Sequence, residues 1–277
     1  MSRPDVSVIV VSHEHAAYLK GCLDSLTPPL QVVSTEVFVV DNRSADRSAE
    51  LVRTGYPWVR LIENAERQGF AANNNRVIRK SRGRHVLLLN PDTEMLPGAL
   101  DRLVAYMDRE PRVGLCGPQL VYPDGRVQLS CRRFPTLSSV LARRTPFRAF
   151  LHTSDMNRHH LMADTDHASN RPVDWVLGAC VMVRRELLHT VGLMDEGYYL
   201  YVEDIDWAQR ATKAGWEVTY YPEARVIHHH QAKSDRVLLS GYSWHHLRSM
   251  WRYYRKHLAP RWLRLNVSPE LLQETGQ

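Results

Sequence analysis

Short apolar runs alternate with stretches of helical periodicity through the first third of the chain. Ser7-Val8-Ile9-Val10-Val11 predicts a buried strand, and the next stretch sets Ala17, Cys22, Leu23 and Leu26 on one helical face until Pro28-Pro29 stops it. The pattern then repeats. Glu36 to Val40, Val59 to Ile62 and His85 to Leu89 predict strands, with helices over Ala45 to Arg53 and Phe70 to Lys80 between them. Continuous apolar strands separated by helices imply a parallel sheet covered on both faces, so the expected class is α/β.

Ligands of such sheets sit outside the carboxyl ends of the strands. The polar residues there are Ser12-His13-Glu14, Asp41-Asn42-Arg43-Ser44 and Asn90-Pro91-Asp92. Beyond a helix at Leu100 to Met107 the alternation loosens into turns such as Pro123-Asp124-Gly125. The Arg-rich stretch from Arg132 to His160 reads as a long loop. Regularity returns at Val173 to Val183. A helix from Glu203 or Asp204 to Ala214 is closed by Gly215, and a strand at Glu217 to Tyr221 precedes His228-His229-His230.

Composition narrows the class without choosing a function. The 277 residues are 44% hydrophobic and 24% charged, which is ordinary globular usage and removes disordered or fibrous readings. Lys and Arg exceed Asp and Glu by 36 to 30, a formal charge of +6 that favours anionic partners. Cys22, Cys116, Cys131 and Cys180 form no C-x-x-C pair, which fits a reducing compartment rather than a zinc ribbon or disulfide framework. Val6 to Val11 is too short for a signal sequence or a membrane span, so the expected location is cytoplasmic.

The phosphate-binding motifs with the plainest mechanics are missing: no G-x-x-x-x-G-K-[ST] occurs and no G-x-G-x-x-G follows the first strand. Carboxylates at strand ends stand in their place. Asp41 directly follows an apolar run and is a candidate acceptor for a base imide N–H, or else a helix cap. Asp92, beyond a ladder-stopping proline, suits Mg²⁺ or Mn²⁺ on a diphosphate, or else forms a turn. Glu203, Asp204 and Asp206 crowd a helix start behind the aromatic run Tyr198 to Tyr201. The helix dipole accounts for one such anion but less well for three, and a pair such as Glu203 and Asp204 can divide the work of proton transfer. The triple histidine could supply one metal ligand.

In order along the chain, seven segments resemble the family-2 glycosyltransferases with the GT-A fold, most closely the bacterial rhamnosyltransferase-like branch. They are Val8 to Ser12, Val39 to Ser44, Asn64 with Gly69-Phe70-Ala71 and Asn75, Leu89 to Asp92, Gly178-Ala179, Glu203 to Asp206, and Ala224 to His228. The match runs from Val6 to about Gln231. The resemblance implies a mostly parallel nucleotide-binding sheet flanked by helices, with residues 1–110 as the nucleotide-sugar half and 111–231 as the acceptor and catalytic half carrying loop 132–160. It implies a dTDP- or UDP-sugar donor contacted by Ser12, Glu14, Asp41, Asn42, Asn64, Gly69, Asn75, Asn90 and Asp92. Asp92 and His228 would hold Mg²⁺ or Mn²⁺, Asp204 would be the catalytic base and Glu203 its supporting neighbour. Two positions depart from the pattern: Asn90 replaces the first carboxylate of the DXD motif, and Glu14 stands where the family usually has Asn. The implied reaction is inverting transfer to a glycan or polyprenyl-linked acceptor in cell-surface polysaccharide synthesis.

Residues 232–277 form a basic, aromatic extension with no acidic residue between Asp235 and Glu270. Leu247, Trp251, Tyr254 and Leu258 follow helical spacing beside Arg248, Arg252, Arg255 and Lys256. That pattern fits an interfacial helix on an anionic membrane or a terminal helix packing its aromatic face on the domain. A nucleic-acid-binding module would leave the ordered carboxylates unexplained, so no nucleic acid is expected. A sugar nucleotidyltransferase would need a Gly-rich basic loop after the first strand, where Ser12-His13-Glu14-His15 stands instead.

Overall fold

A computed structural model describes residues 3–27, 31–136, 158–229, 241–265 and 267. Pro28-Pro29, residues 137–157 of the expected loop, His230 and the ends of the extension lie outside these residues. The strands are β1 (Val6–Ser12), β2 (Thr35–Asp41), β3 (Arg60–Glu63), β4 (His85–Leu89), β5 (Thr93–Met95), β6 (Val113–Val121), β7 (Val127–Gln128), β8 (Cys131–Arg132), β9 (Arg171–Pro172), β10 (Trp175–Val176), β11 (Cys180–Arg184) and β12 (Glu217–His228). The helices are α1 (Ala16–Asp24), α2 (Ser48–Gly55), α3 (Phe70–Ile78), α4 (Ala99–Arg109), α5 (Arg185–Val191), α6 (Glu203–Lys213) and α7 (Gly241–Tyr253).

The main sheet runs β3-β2-β1-β4-β11-β6-β12-β5, parallel through its first four strands. β11 enters antiparallel between β4 and β6, and β6 pairs parallel with β12. Val8 and Val10 face one core cluster with Leu87 and Leu89, while Ile9 faces the other with Phe38 and Val40. That alternation places helices against both faces of the sheet and ends Ser12 and Asp41 side by side at its carboxyl edge.

Four expectations are revised. α2 begins at Ser48 rather than Ala45, because Asp46 accepts the Ser48 and Ala16 N–H groups and holds residues 44–47 in a turn. The loosened stretch after α4 contains β6, buried throughout; its glycines and Pro118 hid the strand pattern, and a Cβ on Gly117 would stand 2.7 Å from the Val176 side chain. β12 continues past Tyr221 through Pro222 to His228 because its register with β6 shifts between Tyr221 and Arg225, so His228 ends the strand rather than following it. The extension does pack on the domain, and of the expected face only Leu258 joins the core. Tyr253 is fully buried and Ser249 nearly so, whereas Trp244, Leu247 and Trp251 are exposed.

Candidate active site

Ser12 and Asp41 are register partners at the ends of β1 and β2. Asp41 Oδ2 accepts the Ser44 N–H at 3.0 Å, so it organises the turn after β2. Its Oδ1 and the Ser12 Oγ are buried with no hydrogen-bond partner among the described residues. Buried polar atoms are nearly always satisfied, so two adjacent orphans at a strand edge mark a place for a polar ligand. Glu14 lies further out: its N–H donates to Ser44 Oγ at 3.1 Å and its half-exposed carboxylate is 3.6 Å from Arg67.

The asparagines act behind this edge. Asn64 Nδ2 donates to Asn42 Oδ1 at 3.0 Å and to Asn73 Oδ1 at 2.6 Å, while its Oδ1 accepts from Arg76 at 2.7 Å. Asn42 also bonds the backbone N–H and C=O of Gln68. Asn75, fully buried, donates to Met194 O at 2.8 Å and accepts the Met194 N–H at 3.1 Å. These side chains fix the loop that leads into α3 and tie α3 to residue 194. Gly69 begins that helix at a close approach: an added Cβ would meet the Tyr199 carbonyl oxygen at 2.8 Å, and Phe70 N–H donates to the same oxygen at 2.9 Å.

Asn90 N–H donates to Ala179 O at 2.8 Å, which closes β4 onto β11, and its carbonyl accepts both the N–H and the hydroxyl of Thr93. The turn turns Asp92 toward the end of β12, where His228 pairs with Thr93. Asp92 Oδ1 is 3.7 Å from His228 Nε2, beyond hydrogen-bond range. His228 Nδ1 lies 2.7 Å from Gln128 Oε1, so with Nδ1–H donating to that oxygen Nε2 is the ring nitrogen on the side of Asp92. Alternation along the strand sends His229 to Glu94, 2.7 Å away, and to the ring of Tyr18. Gln128 was silent in the sequence because nothing local connects it to a histidine 100 residues later.

Hard divalent ions accept one or two carboxylates or imidazoles and leave other positions to phosphate and water. Among the described residues, no group of three or more His, Cys, Asp or Glu could enclose a metal. Asp92 and His228, both buried and 3.7 Å apart, are the two residues that would hold such an ion.

Glu203 and Asp204 open α6 after two residues held in left-handed backbone, Tyr201 (φ 67°) and Val202 (φ 75°). Such a conformation is costly for a β-branched residue and persists only where its surroundings enforce it. Among the described residues, four of the five non-glycine positions with left-handed φ are Glu14, Arg43, Tyr201 and Val202, all at this edge. Asp204 accepts the Gly178 N–H through Oδ2 at 3.1 Å and the Ile205 N–H through Oδ1 at 2.9 Å. A Cβ on Gly178 would lie 3.3 Å from Oδ2, a tight contact that the carboxylate would have to yield a few tenths of an ångström to admit. An apolar pocket lined by Phe70, Leu88, Val176, Val181, Met194 and Trp207 adjoins this carboxylate.

Burial raises the Asp204 carboxyl above the usual carboxylate range, opposed by the two N–H donors and by the charge of Arg132. Burial raises Glu203 further, and the Asp204 charge adds to it. One Glu203 oxygen has no hydrogen-bond partner among the described residues. Asp204 is thus the member of the pair fitted to be an anion, and Glu203 the one fitted to hold a proton.

Asp206, the third carboxylate, belongs to a different structure. Burial alone would raise it, but the His257 hydrogen bond and the charges of Arg210 and Lys256 outweigh that and hold it far below the usual range. It is fully buried, 2.7 Å from His257, 2.8 Å from Lys256 and 2.8 Å from Arg210. Lys256 also reaches Asp195 at 2.9 Å, and Arg252 grips Asp195 with two nitrogens. This network fastens the C-terminal extension to the loop preceding α6 through Asp195 and to the first turn of α6 through Asp206.

A family model described as "Glycosyl transferase family 2" matches residues 7–192. The chain is 32% identical over 259 residues to an N-acetylglucosaminyl-diphospho-decaprenol L-rhamnosyltransferase of Mycobacterium tuberculosis, covering 86% of this chain and 80% of that one. It is 27% identical to the rhamnosyltransferase WbbL of Escherichia coli, over 90% of this chain and 92% of the relative. GalNAc-T7, solved with UDP, GalNAc and Mn²⁺, superposes with a TM-score of 0.63 at 16% identity, over 91% of this chain but 48% of the solved one. That likeness carries the fold, as expected from the sheet order. With both the family model and the mycobacterial relative spanning most of its length, the chain belongs to glycosyltransferase family 2 and is a glycosyltransferase with the GT-A fold.

Proposed function

We propose that this transferase moves a sugar, with rhamnose favoured, from a dTDP- or UDP-sugar to a hydroxyl of a glycan or polyprenyl-linked acceptor by a single inverting displacement. The observation that carries the proposal is Asp204: a carboxylate raised by burial, fixed by the Gly178 and Ile205 N–H groups, just after the left-handed backbone of Tyr201 and Val202 and beside an apolar pocket. The rhamnosyl transfer and diphospho-decaprenol named for the mycobacterial relative support the sugar and the acceptor class. Residues 1–231 would form the transferase domain and 232–277 its extension, acting at the cytoplasmic face in cell-surface polysaccharide synthesis.

An acceptor hydroxyl is a weak nucleophile at neutral pH. Asp204 takes its proton as the acceptor oxygen bonds to C1 and the C1–oxygen bond to the diphosphate breaks, a contribution typically worth ~10²–10⁴-fold. Glu203, protonated, adds no second negative charge beside that base. Ser12 and Asp41 hold the nucleoside through their unpartnered oxygens. Mg²⁺ or Mn²⁺ bound by Asp92 and His228 would neutralise charge on the departing diphosphate.

A thermal-shift panel of UDP-, dTDP- and GDP-sugars with and without Mn²⁺ tests the reading. A donor at ~100 times its dissociation constant stabilises by about 2.7 kcal/mol, a rise of several degrees. The expected result is such a rise with a dTDP- or UDP-sugar, larger with Mn²⁺. No rise with any donor overturns it.

A further inference from the structure

α7 carries two faces of opposite character. Its inner face is committed to the domain: Ser249 Oγ donates to Leu200 O at 3.0 Å, Tyr253 is fully buried, and Arg252 pairs with Asp195. Lys256, just beyond, bridges Asp195 and Asp206. His245 stacks on Tyr199 with ring centroids 4.6 Å apart, and His246 meets Tyr201 edge-on. The outer face presents Trp244 (67% exposed), Leu247 (41%) and Trp251 (57%), spaced by three and four residues, with Arg248 exposed among them. After α7 the chain folds back, Leu265 N–H donating to Arg255 O at 2.9 Å, and this return carries Trp262 at 83% exposure.

Large aromatic residues are ordinarily the most buried of surface-helix side chains, so a stripe of them facing outward requires an occupant. Charge identifies it. Residues 241–265 contain six Lys or Arg and no Asp or Glu. Two copies meeting through this face would bring like charges together, whereas a layer of anionic headgroups over hydrocarbon complements both the cations and the indole rings.

We infer that the outer face of α7, formed by Trp244, Leu247, Arg248 and Trp251, docks onto an anionic lipid bilayer and seats the transferase at the membrane surface. The inference extends the proposed polyprenyl-linked acceptor. The inner face of α7 touches residues 199–201, which lead directly into Glu203 and Asp204, so docking brings the loop that carries the base to the surface where a lipid-linked hydroxyl lies.

The test is flotation of the full chain, without donor or acceptor, on vesicles of phosphatidylglycerol with phosphatidylcholine and on phosphatidylcholine alone. The wild type should float with the anionic vesicles only, less so as salt screens the cations. Trp244→Ala, Leu247→Ser and Trp251→Ala combined should lower the bound fraction about tenfold at unchanged melting temperature. Arg248→Glu, a single exposed change, gives the same direction should the triple variant fold poorly. Absence of binding to anionic vesicles overturns the inference, as does undiminished binding by both variants. A dimer that the triple variant dissolves, without vesicle binding by the wild type, assigns the face to a second copy instead. Because no sugar is present, these outcomes are separate from those of the donor panel.

Discussion

Gln128 Oε1 and His228 Nδ1 lie 2.7 Å apart, a contact that helps hold the ring with Nε2 on the side of Asp92. Partners of this kind commonly matter about 10–100-fold to metal affinity.

Gln128→Leu should therefore raise the Mn²⁺ concentration needed for half-maximal transfer by about 10-fold or more, at a stability cost of about 1–3 kcal/mol for the buried ring N–H left without its acceptor. His228→Ala should raise it further. A metal titration of activity checks both, and an unaltered requirement in His228→Ala removes that histidine from the ion.

Gly69 is held against the backbone of Tyr199, not against a flexible side chain. Gly69→Ala must push the donor-side helix away from the loop leading to the catalytic pair. The expected cost is about 1–3 kcal/mol of stability with a loss of turnover beyond what the stability change explains. Melting curves and initial rates together measure it; wild-type rates in a stable variant would contradict the close approach.

Glu203 and Asp204 bind protons more tightly in the folded chain than as free carboxyls, with burial the first cause in each. Their favourable contribution is therefore complete below about pH 4 and is lost as pH rises through the raised folded values. Glu203→Gln should accordingly gain melting temperature relative to the wild type on going from about pH 5 to about pH 9. A difference independent of pH would contradict the assignment of the proton to Glu203. The acid limb of kcat/KM, which follows Asp204, should stand above about pH 4 in both forms.

Asp206 has the opposite sign. Its lowered value gives stability that is present above the ordinary carboxylate range and lost only as pH falls into strong acid. Asp206→Asn leaves His257, Lys256 and Arg210 without their shared anion, and breaking a buried pair in this way typically costs about 3–5 kcal/mol. Denaturant unfolding near neutral pH should show that loss, and a change within about 0.5 kcal/mol would contradict a structural role.

The first four parallel strands were legible because each is an uninterrupted apolar run, and their order places Ser12 and Asp41 together once β1 and β2 pair. β6 was not, since Gly114, Gly117 and Pro118 break the run for packing reasons supplied by distant residues such as Val176 and Leu187. The segments quoted around Asn64 and Asn75 marked a real feature, but hydrogen bonds to Asn42, Asn73 and Met194 show that these side chains shape the loop. Helical spacing found Leu247 and Trp251 of the exposed stripe but grouped them with Tyr254 and Leu258, of which Leu258 packs against the core. Which face the extension would bury depended on Asp195 and Asp206, acidic partners that periodicity within the extension does not reveal.

The account turns on Asp204 as the group that receives the acceptor proton. Asp204→Asn keeps the side chain's size and an oxygen able to accept one of its backbone N–H bonds, so donor binding should persist while transfer falls by at least about 10²-fold. Measuring transfer rate and donor-induced thermal shift on the same preparation is the most direct test. Retained donor binding with transfer lost is the predicted result; transfer at the wild-type rate would contradict it.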